Sequence, residues 1–222
     1  IDNYKFNKNP IINKNGYEEI KYLKNKFKIK IPTITADFFM EDIYIKNGRL
    51  KDYKKFFIFL EGCSKNNIKT IVLPFVDNFS IKDKEDYLKI IIEDFQSIKK
   101  ILKKLKLEVA FETDLNPDQN YKFIKKLNSS TFGINYDIGN SIGYGFNYRE
   151  EINTLIKLIK NVHIKNKKNN RTCNLFFDKG KIDKIIKYLL KRGYKKNFIF
   201  QSARVRNKHF TIMKDYYNHF KI

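Results

Sequence analysis

The chain of 222 residues has no tryptophan, two cysteines, four prolines and nine glycines, and only six of its 46 basic residues are arginine. Each shortage excludes something. Cys63 and Cys173 are too few and too far apart for a disulfide framework or a thiolate zinc site, and a reduced, cytoplasmic setting suits them. Sparse Pro and Gly beside 42% apolar residues exclude a long low-complexity tract and leave enough for the core of one domain, expected to span residues 1–222. No run of about 18 apolar residues occurs, so no membrane span is expected. The sequence opens at Ile1 rather than Met, and its natural start is expected upstream.

Lysine, in contrast, is abundant. A net charge of +22 points at first to nucleic acid. The scarcity of arginine argues the other way, because base reading and bidentate phosphate binding favour its planar fork. The lysines are also scattered rather than gathered on one helix. With so much Asn, Ile, Tyr and Phe, they match what A/T-rich coding writes on a solvated surface. Nucleic acid and membrane are therefore not the expected partners, although general attraction of small anions remains.

Strand and helix alternate almost without interruption. Strands are expected at 29–36, 68–75, 107–112, 132–137, 161–165 and 197–202. Helices are expected at 48–66, 83–106, 117–128, 148–160, 181–192 and 207–220, with one more near 16–27. Strands joined through helices run parallel with right-handed crossovers, so the class is α/β.

Strand parity then chooses between barrel and open doubly wound sheet. Leu107, Val109 and Phe111 alternate with Glu108, Ala110 and Glu112; Phe132, Ile134 and Tyr136 alternate with Gly133, Asn135 and Asp137. Val162 and Ile164 oppose Asn161, His163 and Lys165, and Phe198 and Phe200 oppose Ile199 and Gln201. One face is apolar and suits a layer of helices, whereas the other is small or polar. A doubly wound sheet needs both faces apolar. A TIM-type barrel with a polar interior fits better, and such barrels keep their chemistry at the carboxyl ends of the strands. A full barrel takes about 250 residues and eight units. Six units are present, and residues 1–28 offer no convincing strand, so the amino-terminal part of the barrel is expected to be missing.

Glu112, Asp137, His163 and Gln201 sit at the ends of four successive strands and share the inward parity. Three oxygen donors and an imidazole suit Mn²⁺ or Mg²⁺, with Co²⁺ or Zn²⁺ as alternatives, better than a thiolate zinc site. Singly, each has an ordinary alternative. A strand histidine is commonly a hydrogen-bonded structural residue, and a strand-end carboxylate commonly caps the next helix. Their shared parity favours a common ligand. In "GINYDIGNSIGYG" (133–145), Asp137 then reads as a ligand, and the glycines let the following loop run close to whatever is bound. The loop lacks the Gly-Lys-Ser/Thr ending of a nucleotide-binding phosphate loop. His209 and His219 fall in the last helix and read as surface residues.

From about 29 to 206 the chain resembles the sugar phosphate isomerase/epimerase branch of the xylose isomerase-like TIM barrels. The pieces that carry the resemblance are "TADFFM" (35–40), "IVLPFVDN" (71–78), "FETDL" (111–115), "GINYDIGNS" (133–141), "NVHIK" (161–165) and "FQSAR" (200–204), in family order. It implies an eight-stranded barrel of which these are the third to eighth strands. It also implies a metal held by Glu112, Asp137, His163 and, in place of the family's second glutamate, Gln201. A glutamine offers a carbonyl oxygen but exchanges no proton at neutral pH. A two-base epimerisation is therefore harder to support than a one-base aldose–ketose isomerisation through an enediolate, with Glu112 as acid and base. Asp37, Asn140, Lys165 and Arg204 become candidates for binding substrate hydroxyls or phosphate. A helix cap, a solvated lysine and a surface ion pair are the plain alternatives for Asp37, Lys165 and Arg204.

The expected partner is a small sugar or sugar phosphate, and a homo-oligomer is compatible. Two other readings compete. The chain is a catalytically degenerate barrel fragment or sugar-binding remnant, as Gln201 and the missing strands allow. Or it is an abasic-site endonuclease, whose three-zinc cluster needs many histidines where this chain has three.

Overall fold

The computed structural model describes residues 3–39, 48–168, 171–201 and 209–220. The main helices are α1 (Lys14–Lys26), α2 (Lys54–Lys65), α3 (Glu85–Lys104), α4 (Pro117–Lys126), α5 (Ile138–Gly143), α6 (Tyr148–Leu155), α7 (Lys179–Lys191) and α8 (His209–His219). The strands are β1 (Thr33–Thr35), β2 (Thr70–Phe75), β3 (Glu108–Thr113), β4 (Phe132–Asp137), β5 (Ile159–Ile164) and β8 (Asn197–Phe200), with a two-stranded ribbon of β6 (Lys167–Lys168) and β7 (Arg171–Thr172). Strand order in the main sheet is β1-β2-β3-β4-β5-β8, and every pairing is parallel.

Local chemistry explains these elements. In α3, Ile91, Phe95, Ile98 and Leu102 recur at helical spacing and are buried, while Glu85 and Asp86 open the helix and Lys103 and Lys104 close it. That charge order suits the helix dipole. Buried Asp94 on the same helix is satisfied by Arg49 Nε at 2.7 Å and the Leu50 N–H at 3.0 Å. α4 starts with a capping box, in which Asn116 accepts from the Gln119 N–H and the Gln119 side chain accepts from the Asn116 N–H.

The apolar face of the sheet packs on this helical layer. Phe111 stands edge-on to Phe95 at 4.9 Å and to Phe123 of α4 at 5.0 Å, and Phe132 meets Phe95 at 6.0 Å. The sheet curls the other way: β2 and β5, separated by two strands, touch across the concave face. The described strands thus form a half-barrel equivalent to six of the eight units of a TIM barrel.

Three sequence expectations shift. The first strand is confined to 33–35, and 48–66 becomes a 3-10 turn at Leu50–Asp52 followed by α2. Residues 138–143, expected as a loop, form the short helix α5 because Asp137 caps it. In addition, the β4–β5 register jumps between Ile134 and Asn135, so that Lys160 is an extra residue on β5. Its side chain lies over Gly133, where a Cβ would come within 2.4 Å of the Leu158 carbonyl and 2.7 Å of Lys160 Cγ. Lys160 Nζ donates to the Ser130 carbonyl at 2.7 Å and pairs with Glu108 at 3.4 Å. Gly133→Ala is therefore expected to cost about 1–3 kcal/mol, read by equilibrium urea unfolding, since a strand backbone must yield.

Candidate metal centre

Register sets the site. Asp137, the last residue of β4, lies opposite His163 of β5, and Asn135 lies opposite Asn161 one layer below. Glu112 ends the inward row of β3. Parity therefore brings together Glu112, Asp137 and His163, each about 4% exposed, with ligand-type atoms all within 4.8 Å of one another. His163 Nδ1 is 3.3 Å from Glu112 Oε2 and 3.8 Å from Asp137 Oδ2. Lys165 Nζ lies 3.4 Å from Asp137 Oδ2.

Amides orient the carboxylates. Asn140 Nδ2 donates to Glu112 Oε1 at 2.7 Å, and the Asn140 backbone N–H donates to Asp137 Oδ1 at 2.7 Å. Asn135 Nδ2 donates to Glu112 Oε2 at 2.7 Å and lies 3.1 Å from His163 Nδ1, while Asn161 Nδ2 donates to Asn135 Oδ1 at 2.7 Å. Asn135 and Asn161 escaped the sequence reading as site residues, although their inward parity was the available signal.

Burial and mutual charge set the titration. Burial raises Glu112, but the hydrogen bond and charge of His163, then Lys165 and Asn135, outweigh it and hold the carboxyl below its usual range. Asp137 is pushed up to about 6, first by burial and then by the charge of Glu112. Burial lowers His163, yet Glu112 and Asp137 outweigh it and leave the imidazole above its ordinary value.

The donor set fits a divalent cation. Asp137 Oδ2 is buried and accepts no hydrogen bond, as is Asn140 Oδ1. Two carboxylates and an imidazole converging at a protein-lined mouth match the ligand types of hard or borderline dications.

The remaining candidates divide. Lys165 and Asn140 join the cluster, as above. Gln201 extends the β5–β8 pairing through its backbone N–H to the Ile164 carbonyl at 2.9 Å, and its side chain is exposed. Asp37 is exposed in the turn after β1. Arg204 lies outside the described residues. His219 of the last helix has its Nε2 3.2 Å from Asp183 of α7 and joins no part of the cluster. Cys63 and Cys173 are unpaired thiols.

The path of Lys165 depends on Gly139. A Cβ at that position would lie 2.8 Å from Lys165 Cγ and 3.0 Å from its backbone carbon, so α5 and β5 approach across a hydrogen atom.

A half-barrel of six parallel strands, with a buried cluster of carboxylates and histidine at their carboxyl ends, defines an α/β protein of the TIM-barrel class. The sequence matches the family described as xylose isomerase-like TIM barrel over residues 9–216, and the chain belongs to that family. No curated protein matches it. Among solved structures, a xylose isomerase domain protein from Planctomyces limnophilus is 17% identical with a TM-score of 0.73, over 95% of this chain and 82% of that one. 3-Keto-D-glucoside 4-epimerase from E. coli is 13% identical with a TM-score of 0.72, over 95% of this chain and 85% of that one. A xylose isomerase-like TIM barrel protein from Mycobacterium smegmatis, solved in complex with magnesium, is 15% identical with a TM-score of 0.66, over 87% and 73%. At these identities the likeness is one of fold. Among the described residues no helix is long and apolar enough to cross a membrane.

Proposed function

We propose that this chain is a metal-dependent isomerase or epimerase of a sugar or sugar phosphate, with Glu112 as the acid/base. The observation that carries the reading is the buried convergence of Glu112, Asp137 and His163 at the strand ends. In this reading these three hold the cation, and the exposed Gln201 side chain stands apart from them. When bound, a divalent cation there supplies Lewis acidity toward a substrate carbonyl and its neighbouring hydroxyl, which acidifies the C–H between them.

Glu112 suits the base. Its carboxyl stays ionised beside His163 and is fixed by two asparagine amides, so little reorganisation is needed to take a proton. The C–H electron pair becomes the double bond of an enediolate as the carbonyl π pair moves onto its oxygen. Glu112 then returns the proton to the former carbonyl carbon while the hydroxyl proton passes to the former carbonyl oxygen, leaving the new carbonyl on the neighbouring carbon. Gln201 cannot hold a second proton, which favours aldose–ketose isomerisation by one base. Lys165 and the unpartnered Asn140 Oδ1 are the groups best placed to bind substrate hydroxyls.

Metal content, followed by deuterium exchange from D₂O into a panel of ketoses and ketose phosphates, tests the reading. Metal with exchange supports it, and the absence of both favours a degenerate barrel. Metal-dependent incision of abasic DNA would replace it with the nuclease reading. Asp137→Asn and His163→Ala are expected to weaken Mn²⁺ binding about a hundredfold or more, measured by calorimetry. Wild-type affinity in either variant would remove these residues from the ligand set.

A further inference from the structure

Behind the cluster lies a buried carboxylate that the chemistry above does not use. Glu151 on α6 is 5% exposed, and among the described residues no lysine, arginine or histidine pairs with it. Its partner is Ser141, whose Oγ donates to Glu151 Oε2 and also lies 3.2 Å from the Tyr136 hydroxyl. A small cavity of about 20 Å³ between Glu112 and Glu151 is lined by Asn135, Asp137, Asn140, Ser141 and Tyr144 among others.

An apolar side chain would fill this place without the penalty of desolvating a carboxyl. What the carboxyl gains is a grip on Ser141. Helix α5 has six residues, too few for a helix to persist alone. Yet its third residue, Asn140, donates to Glu112 through its side chain and to Asp137 through its backbone. Ser141 is the next residue, and Tyr136 precedes Asp137. One hydroxyl therefore ties β4, α5 and α6 together immediately behind two of the three ligands.

We propose that Glu151 is a positioning residue for the metal centre, clamping Ser141 so that α5 holds Asn140 against Glu112 and Asp137. The inference rests on the metal-site reading above. It assigns no contact between Glu151 and substrate or cation. Burial is the first cause of the rise of its carboxyl to about 7, opposed by the Ser141 and Tyr136 hydroxyls, which are the polar groups that face it.

The test uses the full chain and Mn²⁺ alone, with Glu151→Ala, Ser141→Ala and Glu151→Gln. Calorimetry is expected to show Mn²⁺ affinity about 10- to 100-fold weaker in the two alanine variants, the range for removing a group that orients a ligand. Glu151→Gln keeps an acceptor for Ser141 and is expected to stay within about threefold of wild type. Hydrogen exchange of the metal-free protein is read in parallel. The peptide covering 138–143 should exchange faster in the alanine variants and unchanged in Glu151→Gln. Ser141→Ala removes one oxygen atom, so it keeps the test decisive where Glu151→Ala does not fold. Wild-type exchange and Mn²⁺ affinity in Ser141→Ala overturn the clamp while leaving the metal centre standing. Failure of the wild type to bind Mn²⁺ overturns both, and faster exchange with unaltered affinity overturns the role toward the metal.

Discussion

Glu112→Gln is expected to lower solvent-proton exchange into an accepted ketose by about a hundredfold to ten-thousandfold, the contribution of a positioned acid/base. The substitution keeps the shape of the side chain but removes its ability to accept and return a proton. It also turns an acceptor into a donor at one of two oxygens, each of which now accepts an asparagine amide at 2.7 Å. One amide pair must therefore face donor to donor or rotate, and some loss of Mn²⁺ affinity should accompany the loss of exchange. Deuterium incorporation followed by NMR in the Mn²⁺-loaded protein measures the first, and calorimetry the second. Exchange within tenfold of wild type would assign the base elsewhere, and Glu112 would be left as a ligand only.

The second large effect concerns pH and stability. Glu151 titrates near 7 in the folded chain against an ordinary 4.5, chiefly because it is buried. A carboxyl raised in this way favours the folded state while protonated. Its stabilisation is complete below 4.5 and is lost as pH rises through about 7. The interval corresponds to roughly 3 kcal/mol. Glu151→Gln has no such proton to lose. Relative to wild type, the variant should therefore gain stability from pH 5 to pH 8 by up to about that amount. Urea unfolding of both proteins in chelator at several pH values reads the difference, in which groups common to the two chains cancel. Parallel stability curves would show that Glu151 is not held as an isolated carboxyl.

The alternation of side chains carried most of this architecture. Parity on 107–112, 132–137 and 161–165 separates Phe111, Phe132 and Val162, which the helices cover, from Glu112, Asp137 and His163, which meet at the mouth. Period two survives in the sequence because a one-residue slip would bury the wrong face. Other features leave no such trace. The extra residue at Lys160 depends on pairing with a distant strand, and the helical turn at 138–143 depends on Asp137 serving also as a cap. The link from Ser141 to Glu151 joins two helices, so no local spacing announces it. Gln201 shares the inward parity, but one step past the last paired residue of β8 its side chain is exposed.

The missing side chain at Gly139 has an effect on the character of the interior. Lys165 is threaded through a gap one hydrogen wide, which pins its aliphatic stem between α5 and β5. Its ammonium is thereby held beside Asp137, already in place at the mouth for a molecule that enters. Two carboxylates then face one ammonium and an imidazole that must be neutral to ligate, so in the proposed reading a doubly charged ion would tip the balance positive just where oxygen atoms of an incoming molecule gather electron density.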